Sequence, residues 1–466
     1  MLLRINRGLH IATFLLVAGC YRYGVEDLLV LSVSLAISWT TGHVGLAKAR
    51  LNRNNGLGVV TIGLVVFFLI AYTAKLGLAV FYASEYWVVP RLITETDLLS
   101  ILPRTYLLAA TAYAALVFTV LAAPFQHQLD WRILDFKPRI TLLLTIVLIG
   151  LIVKYFLKMK FSLGVPGVEP LSMGVPYLGG VLTLVLEFGF VFLVNLPIFF
   201  AFYSGSRALL GIGLVLAFGN SGIDLSFGSK DTLMYELAII GMYMSIFGRG
   251  LTSNRRRFEK TSWIMILVLA VVGTATLTIY KYLNFIRFAL LYEMVDIKKA
   301  IAIAAQSQMA QDRSSIIELY NRITGLETLA AVMHLRDGFS GHMSLWSMIN
   351  GSVVRFFTEN TLGLTESKVA FAMTEFGYFY VVGGTFAVIA GSILLGGLFS
   401  AVQFFVVRYL PVHHNIKLAF LPVLWIIFVF VLLGGGNLIL WTKSVVVTLA
   451  FVQLIGSLSV RRTRRS

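Results

Sequence analysis

An all-α polytopic membrane protein is the fold class this sequence predicts, with about twelve transmembrane helices and a helical cap outside the membrane. Three observations carry that reading. Hydrophobic residues make up 58% of the 466 and charged residues only 13%, the profile of a chain solvated by lipid. The apolar residues gather in runs of about twenty, the length that crosses a bilayer core. Basic residues gather in every second gap between those runs, as the positive-inside rule requires. The same distribution accounts for the formal charge of +16 without a nucleic-acid surface, since no single soluble face collects it. Cys20 is the only cysteine, which excludes an internal disulfide.

Taken in order, the runs fall at roughly 10–24, 27–47, 57–82, 105–124, 140–157, 176–203, 205–226, 231–249, 262–281, 372–407, 418–435 and 438–459. The first follows a basic start, and LVAGC at its end resembles a lipoprotein cleavage site. Because a polytopic chain follows at once, the segment is read as an uncleaved span. The tenth run is too long for one straight crossing and is expected to be broken or to leave the membrane. Three segments follow: an N-terminal bundle over 1–281, a polar region over 282–370 and C-terminal helices over 371–466. With both termini cytoplasmic, six basic clusters land inside: Arg4 and Arg7; Lys48, Arg50 and Arg53; Arg132, Lys137 and Arg139; Arg255, Arg256, Arg257 and Lys260; Arg408 and Lys417; and the RRTRR tail. Lys154, Lys158 and Lys160 break the pattern at an outer end. The polar region then lies outside the cytoplasm.

Several polar residues interrupt the spans. Lys75, Glu187 and Asn195 sit within apolar runs, and Asn220 and Asp224 are one helical turn apart. Charge inside a bilayer is costly, so such groups face a partner or a cavity. At about 1.5 Å per residue Lys75 lies about 10 Å below its outer end and Glu187 about 16 Å, depths that suit one buried ion pair.

The polar region contains DRSSIIELYNRITGLETLAAVMHLRDG. Ser315 with Glu318 reads as a capping box, apolar residues from Ile316 to Met333 recur at helical spacing, and Gly338 marks the stop. The helix is amphipathic, its polar face carrying Glu318, Asn321, Arg322 and Glu327, with Gly325 open to close approach of another group. A second short helix, LWSMINGSVVRFF, and the loop TENTLGLTESK follow. The region is expected to fold as a cap on the membrane surface.

Absent motifs narrow the chemistry. No GxxxxGK[ST] loop supports ATP-driven work, no CxxC, HExxH or histidine cluster supports zinc, and no Gly-x-Ser-x-Gly elbow is present. His413-His414 reads as a basic surface pair. Glu95-Thr96-Asp97 offers only two acids in a loop, so no metal and no cofactor is expected. Outward-facing cations remain: Lys230 in the turn between spans seven and eight, Arg322 on the cap helix, then Arg336 and Arg355. Lysine and arginine are the usual partners of phosphate. The plainer readings are an Arg322–Glu318 pair along the helix and a headgroup contact for Lys230. An enzyme on that side of the membrane has no nucleotide pool, so its substrate must carry its own activation, as a lipid-linked sugar diphosphate does.

The order of these segments resembles the oligosaccharide repeat-unit polymerases (Wzy-type, including the O-antigen polymerases) over most of the chain. The residues that carry the resemblance are the basic turn Gly228-Ser229-Lys230, the late-loop segment YNRITGLETL, and TENTLGLTESKVAFAMTEFGYFYVVGG with Phe376-Gly377. Departures are Lys230, where many relatives have arginine, and Glu375, where an amide often precedes the aromatic-glycine pair.

The resemblance implies a membrane-embedded glycosyltransferase of the GT-C type in the bacterial cytoplasmic membrane, with its large loop periplasmic. Its substrates are undecaprenyl-diphosphate-linked oligosaccharides, and a polysaccharide chain-length regulator is an expected partner. An acceptor hydroxyl attacks the anomeric carbon and undecaprenyl diphosphate leaves. Lys230 and Arg322 are expected to bind the diphosphate, with Arg336 and Arg355 in reserve. The base is one of Glu327, His334, Asp337, Glu366 and Glu375, and the residues leave that choice open; Glu366 and Glu375 flank the start of span ten. Glycan ligases share the leaving group. A lipid-linked oligosaccharide flippase keeps its charges within the bundle, and a monosaccharide-phosphate-dependent transferase favours a carboxylate pair in its first outer loop.

Overall fold

The computed structural model describes residues 2–20, 22–51, 57–81, 95–123, 139–163, 178–227, 231–247, 299, 302–303, 306, 325–339, 374–434 and 438–459. Among them the fold is helical throughout, with no strand. The helices are α1 (Leu2–Gly19), α2 (Val25–Leu51), α3 (Leu57–Phe68), α4 (Lys75–Phe81), α5 (Glu95–Ala122), α6 (Ile140–Phe161), α7 (Leu178–Leu184), α8 (Phe190–Ser204), α9 (Arg207–Ser226), α10 (Asp231–Phe247), α11 (Leu326–Phe339), α12 (Glu375–Tyr409), α13 (His414–Ile426) and α14 (Leu438–Ser459). Among the described residues three π-helical segments adjoin these helices: Leu69–Ala74 joins α3 to α4, Val185–Gly189 joins α7 to α8, and Ile427–Gly434 follows α13.

Nine of these described stretches are long and apolar enough to cross a membrane: Val25–Ala49, Val60–Val80, Thr96–Ala122, Ile140–Phe161, Leu178–Ser204, Arg207–Ser226, Glu375–Tyr409, His414–Leu433 and Leu438–Gly456. The expected first span ends early, because α1 stops at Gly19, and the expected eighth is the 17-residue α10. The expected ninth, 262–281, lies outside the described residues. Local chemistry sets the boundaries. Gly205 ends α8 in the left-handed region (φ 69°), and Ser206 caps α9 by accepting from the Leu209 N–H at 3.3 Å. His413, expected on the surface, is partly buried, and its Nδ1 accepts from the Asn415 N–H at 3.3 Å at the start of α13.

The long tenth run is broken, one of the two outcomes its length allowed. Helix α12 spans 35 residues, but Gly383 (φ −153°, ψ 21°) and Gly384 (φ 64°, ψ −155°) leave helical geometry. Gly384 occupies a region essentially confined to glycine. The break folds residues 375–382 back along the span. A Cβ added to Gly391 would meet the Phe379 ring at 2.4 Å, whereas twelve residues of straight helix would separate the two positions by about 18 Å.

The chain divides into two compact units: unit 1 (Met1–Asp130, Asn321–Arg408, Ile427–Thr442) and unit 2 (Trp131–Tyr320, Tyr409–Ile426, Lys443–Ser466). In unit 1, α2 packs along α5, α1 lies on α2 and α4, and α11 packs on α5 and α4. Phe68 sits at the centre, its ring stacked on Tyr72 (4.9 Å) and Tyr113 (4.1 Å). Gly396 of α12 reaches α5 closely enough that a Cβ would lie 2.9 Å from the Leu116 carbonyl oxygen. In unit 2, α8 is buried along most of its length and packs on α9, α10 and α13. Its contacts include Phe192 on Phe420 and Phe199 on Tyr243.

Candidate functional site

The interior of unit 1 is organised around the π-helical segment Leu69–Ala74 and the residue after it. A π segment widens one helical turn, and such segments recur at functional sites. Four neighbours meet it here. Gly325, at the start of α11, approaches the Ala71 carbonyl so closely that a Cβ would lie 2.0 Å from the oxygen. Tyr72 shares a hydrogen bond with Thr374, the residue that opens α12. Thr73 exchanges a hydrogen bond with Tyr106 at 2.9 Å, and Lys75 donates to Glu327. All of these side chains are buried.

Two short helices therefore begin at one place. Helix α11 starts with Gly325, whose carbonyl accepts from the Leu329 N–H at 3.1 Å. The folded-back arm of α12 starts with Thr374, whose Oγ1 accepts from the Gly377 N–H at 3.2 Å, an N-cap bond. The two also touch: a Cβ on Gly377 would meet Val332 of α11 at 3.4 Å. Each carries an acid in its first turn, Glu327 and Glu375, where the helix macrodipole favours a carboxylate.

The ion pair corrects one expectation. Lys75 pairs with Glu327, 252 positions away in sequence, and not with Glu187. Depth alone suggested Glu187, and depth does not specify which helix faces which. Glu327 is also not on a solvent-facing surface. It is 1% exposed, and the residues from Leu326 to Val332 are buried on every side. The sequence reading placed this helix on top of the membrane; its first two turns instead fill the space between α4 and α5. One Glu327 oxygen, Oε2, has no hydrogen-bond partner among the described residues.

Of the other candidates, Glu375 is 1% exposed, and neither of its carboxyl oxygens has a hydrogen-bond partner among the described residues. His334 is exposed on α11. Arg336 and Asp337 lie in the last turns of α11, their side chains outside the described residues. Lys230, Arg322, Arg355 and Glu366 lie outside the described residues altogether. No group of three or more His, Cys, Asp or Glu that would hold a metal occurs among the described residues.

No protein-family model, curated protein or solved structure matches this chain.

Two polar assemblies have only a partial trace in the sequence. In unit 1 a chain of hydrogen bonds crosses α1, α2, α5 and the π segment: His10 Nε2 to Ser38 Oγ at 2.8 Å, Ser38 Oγ to Tyr106 OH at 3.0 Å, then Tyr106 to Thr73. The Asn6 carbonyl lies 2.8 Å from His10 Nδ1 and can only accept, so Nδ1 carries a proton. In unit 2 Lys154 donates to Asn220 Oδ1 (2.6 Å) and Asp224 Oδ2 (2.7 Å), and Lys158 pairs with Asp224 Oδ1 at 2.9 Å. The spacing of four in Lys154/Lys158 and in Asn220/Asp224 puts each pair on one helix face. That much was readable; that the two faces oppose each other was not. Asn195 bonds within its own helix, to the Val191 carbonyl at 2.8 Å.

Proposed function

We propose that this protein is a membrane-embedded glycosyltransferase that joins undecaprenyl-diphosphate-linked oligosaccharide repeat units into a surface polysaccharide at the outer face of the bacterial cytoplasmic membrane. One observation supports the reading above the others. The late-loop segment LETL and the Phe376-Gly377 segment, far apart in sequence and both singled out by the family resemblance, start side by side in the interior of unit 1. Each brings a buried carboxylic acid. An apolar groove of about 410 Å³ between α1 and α4, lined by Leu9, Ala12, Leu16, Ala74 and Leu78 among others, has the lining that a prenyl chain needs.

In this reading the acceptor hydroxyl attacks the anomeric carbon, the bond from that carbon to the diphosphate oxygen breaks, and the hydroxyl proton passes to a base. Glu375 is the better base, because Glu327 already holds Lys75. Lys230 and Arg322 stabilise the departing diphosphate, with Arg336 and Arg355 in reserve. Ala at Lys230 or Arg322 is then expected to abolish long chains in cells while the protein still inserts. Loss of one charge-assisted contact in the transition state costs about 3 kcal/mol, a rate effect of roughly a hundredfold. Arg322→Lys keeps the charge but loses the two-oxygen fork and retains partial activity at best. Normal polymer from both Ala variants at normal expression would remove these two residues from the site.

A second reading has its own observation. Buried charges within both units suit a flippase for the lipid-linked unit, a transporter rather than an enzyme. Cells lacking the protein discriminate the two. Surface glycan collapsed to one repeat unit per acceptor supports polymerisation; failure of single units to reach the outer leaflet supports the flippase.

A further inference from the structure

The transfer chemistry proposed above makes no use of the polar cluster of unit 2, whose hydrogen bonds are asymmetric. Asp224 takes both ammonium groups, Lys154 at 2.7 Å and Lys158 at 2.9 Å, and shares a hydrogen bond with Thr232. Glu236 of α10 takes neither in direct contact. Its Oε1 accepts from the Asn220 amide and its Oε2 from the Ser221 hydroxyl, each at 2.6 Å. Asn220 links the two acids, since its Oδ1 accepts from Lys154 while its amide donates to Glu236. Each of Lys154, Lys158, Asn220, Ser221, Asp224 and Glu236 is less than 5% exposed.

A proton added at Asp224 breaks two ion pairs. A proton added at Glu236 breaks none. The Asn220 amide still finds a carboxyl oxygen, and the new O–H turns the Ser221 contact round, the hydroxyl oxygen accepting instead of donating. Protonation of Glu236 raises the net charge of the group Lys154, Lys158, Asp224 and Glu236 by one while every one of these contacts stays in place. We infer that Glu236 is a proton-binding site buried in unit 2, whose occupancy changes the charge of the α6–α9–α10 cluster without dismantling it. The site stands apart from the transfer chemistry proposed above and holds whichever function unit 1 performs.

The groups that act on Glu236 come from the elements around it. From α9 these are Asn220, Ser221 and Asp224, and from α6 Lys154. Helices α8 and α13 also pack on α10. The ionisable side chains they carry are Tyr203 on α8 and His414 and Lys417 in the first turn of α13. On α10 itself Tyr243 donates to the Ala419 carbonyl at 2.7 Å and Tyr235 lies against Phe188.

The proposal is tested on the purified full-length protein in lipid nanodiscs by infrared difference spectroscopy between mildly alkaline and mildly acidic buffer, with the proton as the only ligand. Wild-type protein is expected to gain a protonated-carboxyl carbonyl band on acidification, downshifted in heavy water, and Glu236→Gln to lose that component. Gln keeps one accepting oxygen for Asn220 and fills the same volume. Ser221→Ala leaves the acid in place but removes one bond to its charged form, so it shifts the pH at which the band appears. A band unchanged by Glu236→Gln, or a midpoint unmoved by Ser221→Ala, overturns the assignment.

Discussion

Lys75 and Glu327 show what a single buried pair costs and specifies. Each is 1% exposed at the side chain, so neither charge has water to fall back on. Replacing one partner strands the other, at a cost of about 3–5 kcal/mol, whereas replacing both with apolar residues of similar volume is neutral or stabilising. Lys75→Met and Glu327→Leu are each expected to lower the unfolding temperature in detergent sharply, and the double variant to recover most of the loss. A loss in the double variant equal to the sum of the two single losses would show that the two side chains do not depend on each other. If the double variant folds but makes no polymer, the pair serves more than assembly. Sequence pointed to Lys75 as a residue needing a partner, because an ammonium in an apolar run has no other stable outcome. It did not name the partner, since Glu327 lies on a helix whose amphipathic pattern reads equally well as a surface element.

Among the elements, α12 shows how glycine sets direction. Gly384 adopts φ 64° and ψ −155°, so Gly384→Ala is expected to cost about 1–3 kcal/mol and to weaken the folded-back arm that carries Glu375. Gly397, in the same helix with no atom within 4 Å of a built Cβ, serves as control: Gly397→Ala is expected to be silent or slightly stabilising. Limited proteolysis and thermal unfolding of the two variants check the contrast; equal behaviour would mean that the break does not hold the arm. Helix α11 shows the other side of the argument. Its stop was legible, with Gly338 one residue before the observed end at Phe339, and so was the close approach at Gly325. Its burial was not. A helix with Thr328, Ala330 and Ala331 among its first residues is weakly amphipathic, and small side chains suit tight packing between helices as well as an exposed turn.

Across the whole molecule, the arrangement of basic clusters predicts topology independently of any site. Reporter fusions after Arg53, Arg139, Lys260 and Lys417 are expected to report cytoplasm, and one at Ser340 the opposite side. A cytoplasmic signal at Ser340 would remove the outward-facing substrate site and the reading built on it. The exceptions to the charge rule have a physical basis in unit 2. Lys154 and Lys158 are buried against Asp224, and Lys160 lies over the rings of Phe156 and Phe161, so the first two do not act as free surface charge. Positive-inside counting assumes solvated charges, and these two are not solvated.

The sequence by itself determined that the chain is helical and membrane-spanning, where most spans begin and end, that the long tenth run must break or leave the membrane, and which polar side chains required partners. Those properties are local: they follow from run length, hydropathy, glycine position and the cost of charge in lipid. Only the tertiary structure decided that Lys75 meets Glu327, that α11 and the arm of α12 start together on one π-helical segment, and that Glu236 is bound by neutral donors while Asp224 holds both lysines. These depend on which helix faces meet. In an apolar medium many helix pairings bury similar surface, so hydrophobic pattern does not choose among them; close packing at small residues and a few buried hydrogen bonds do.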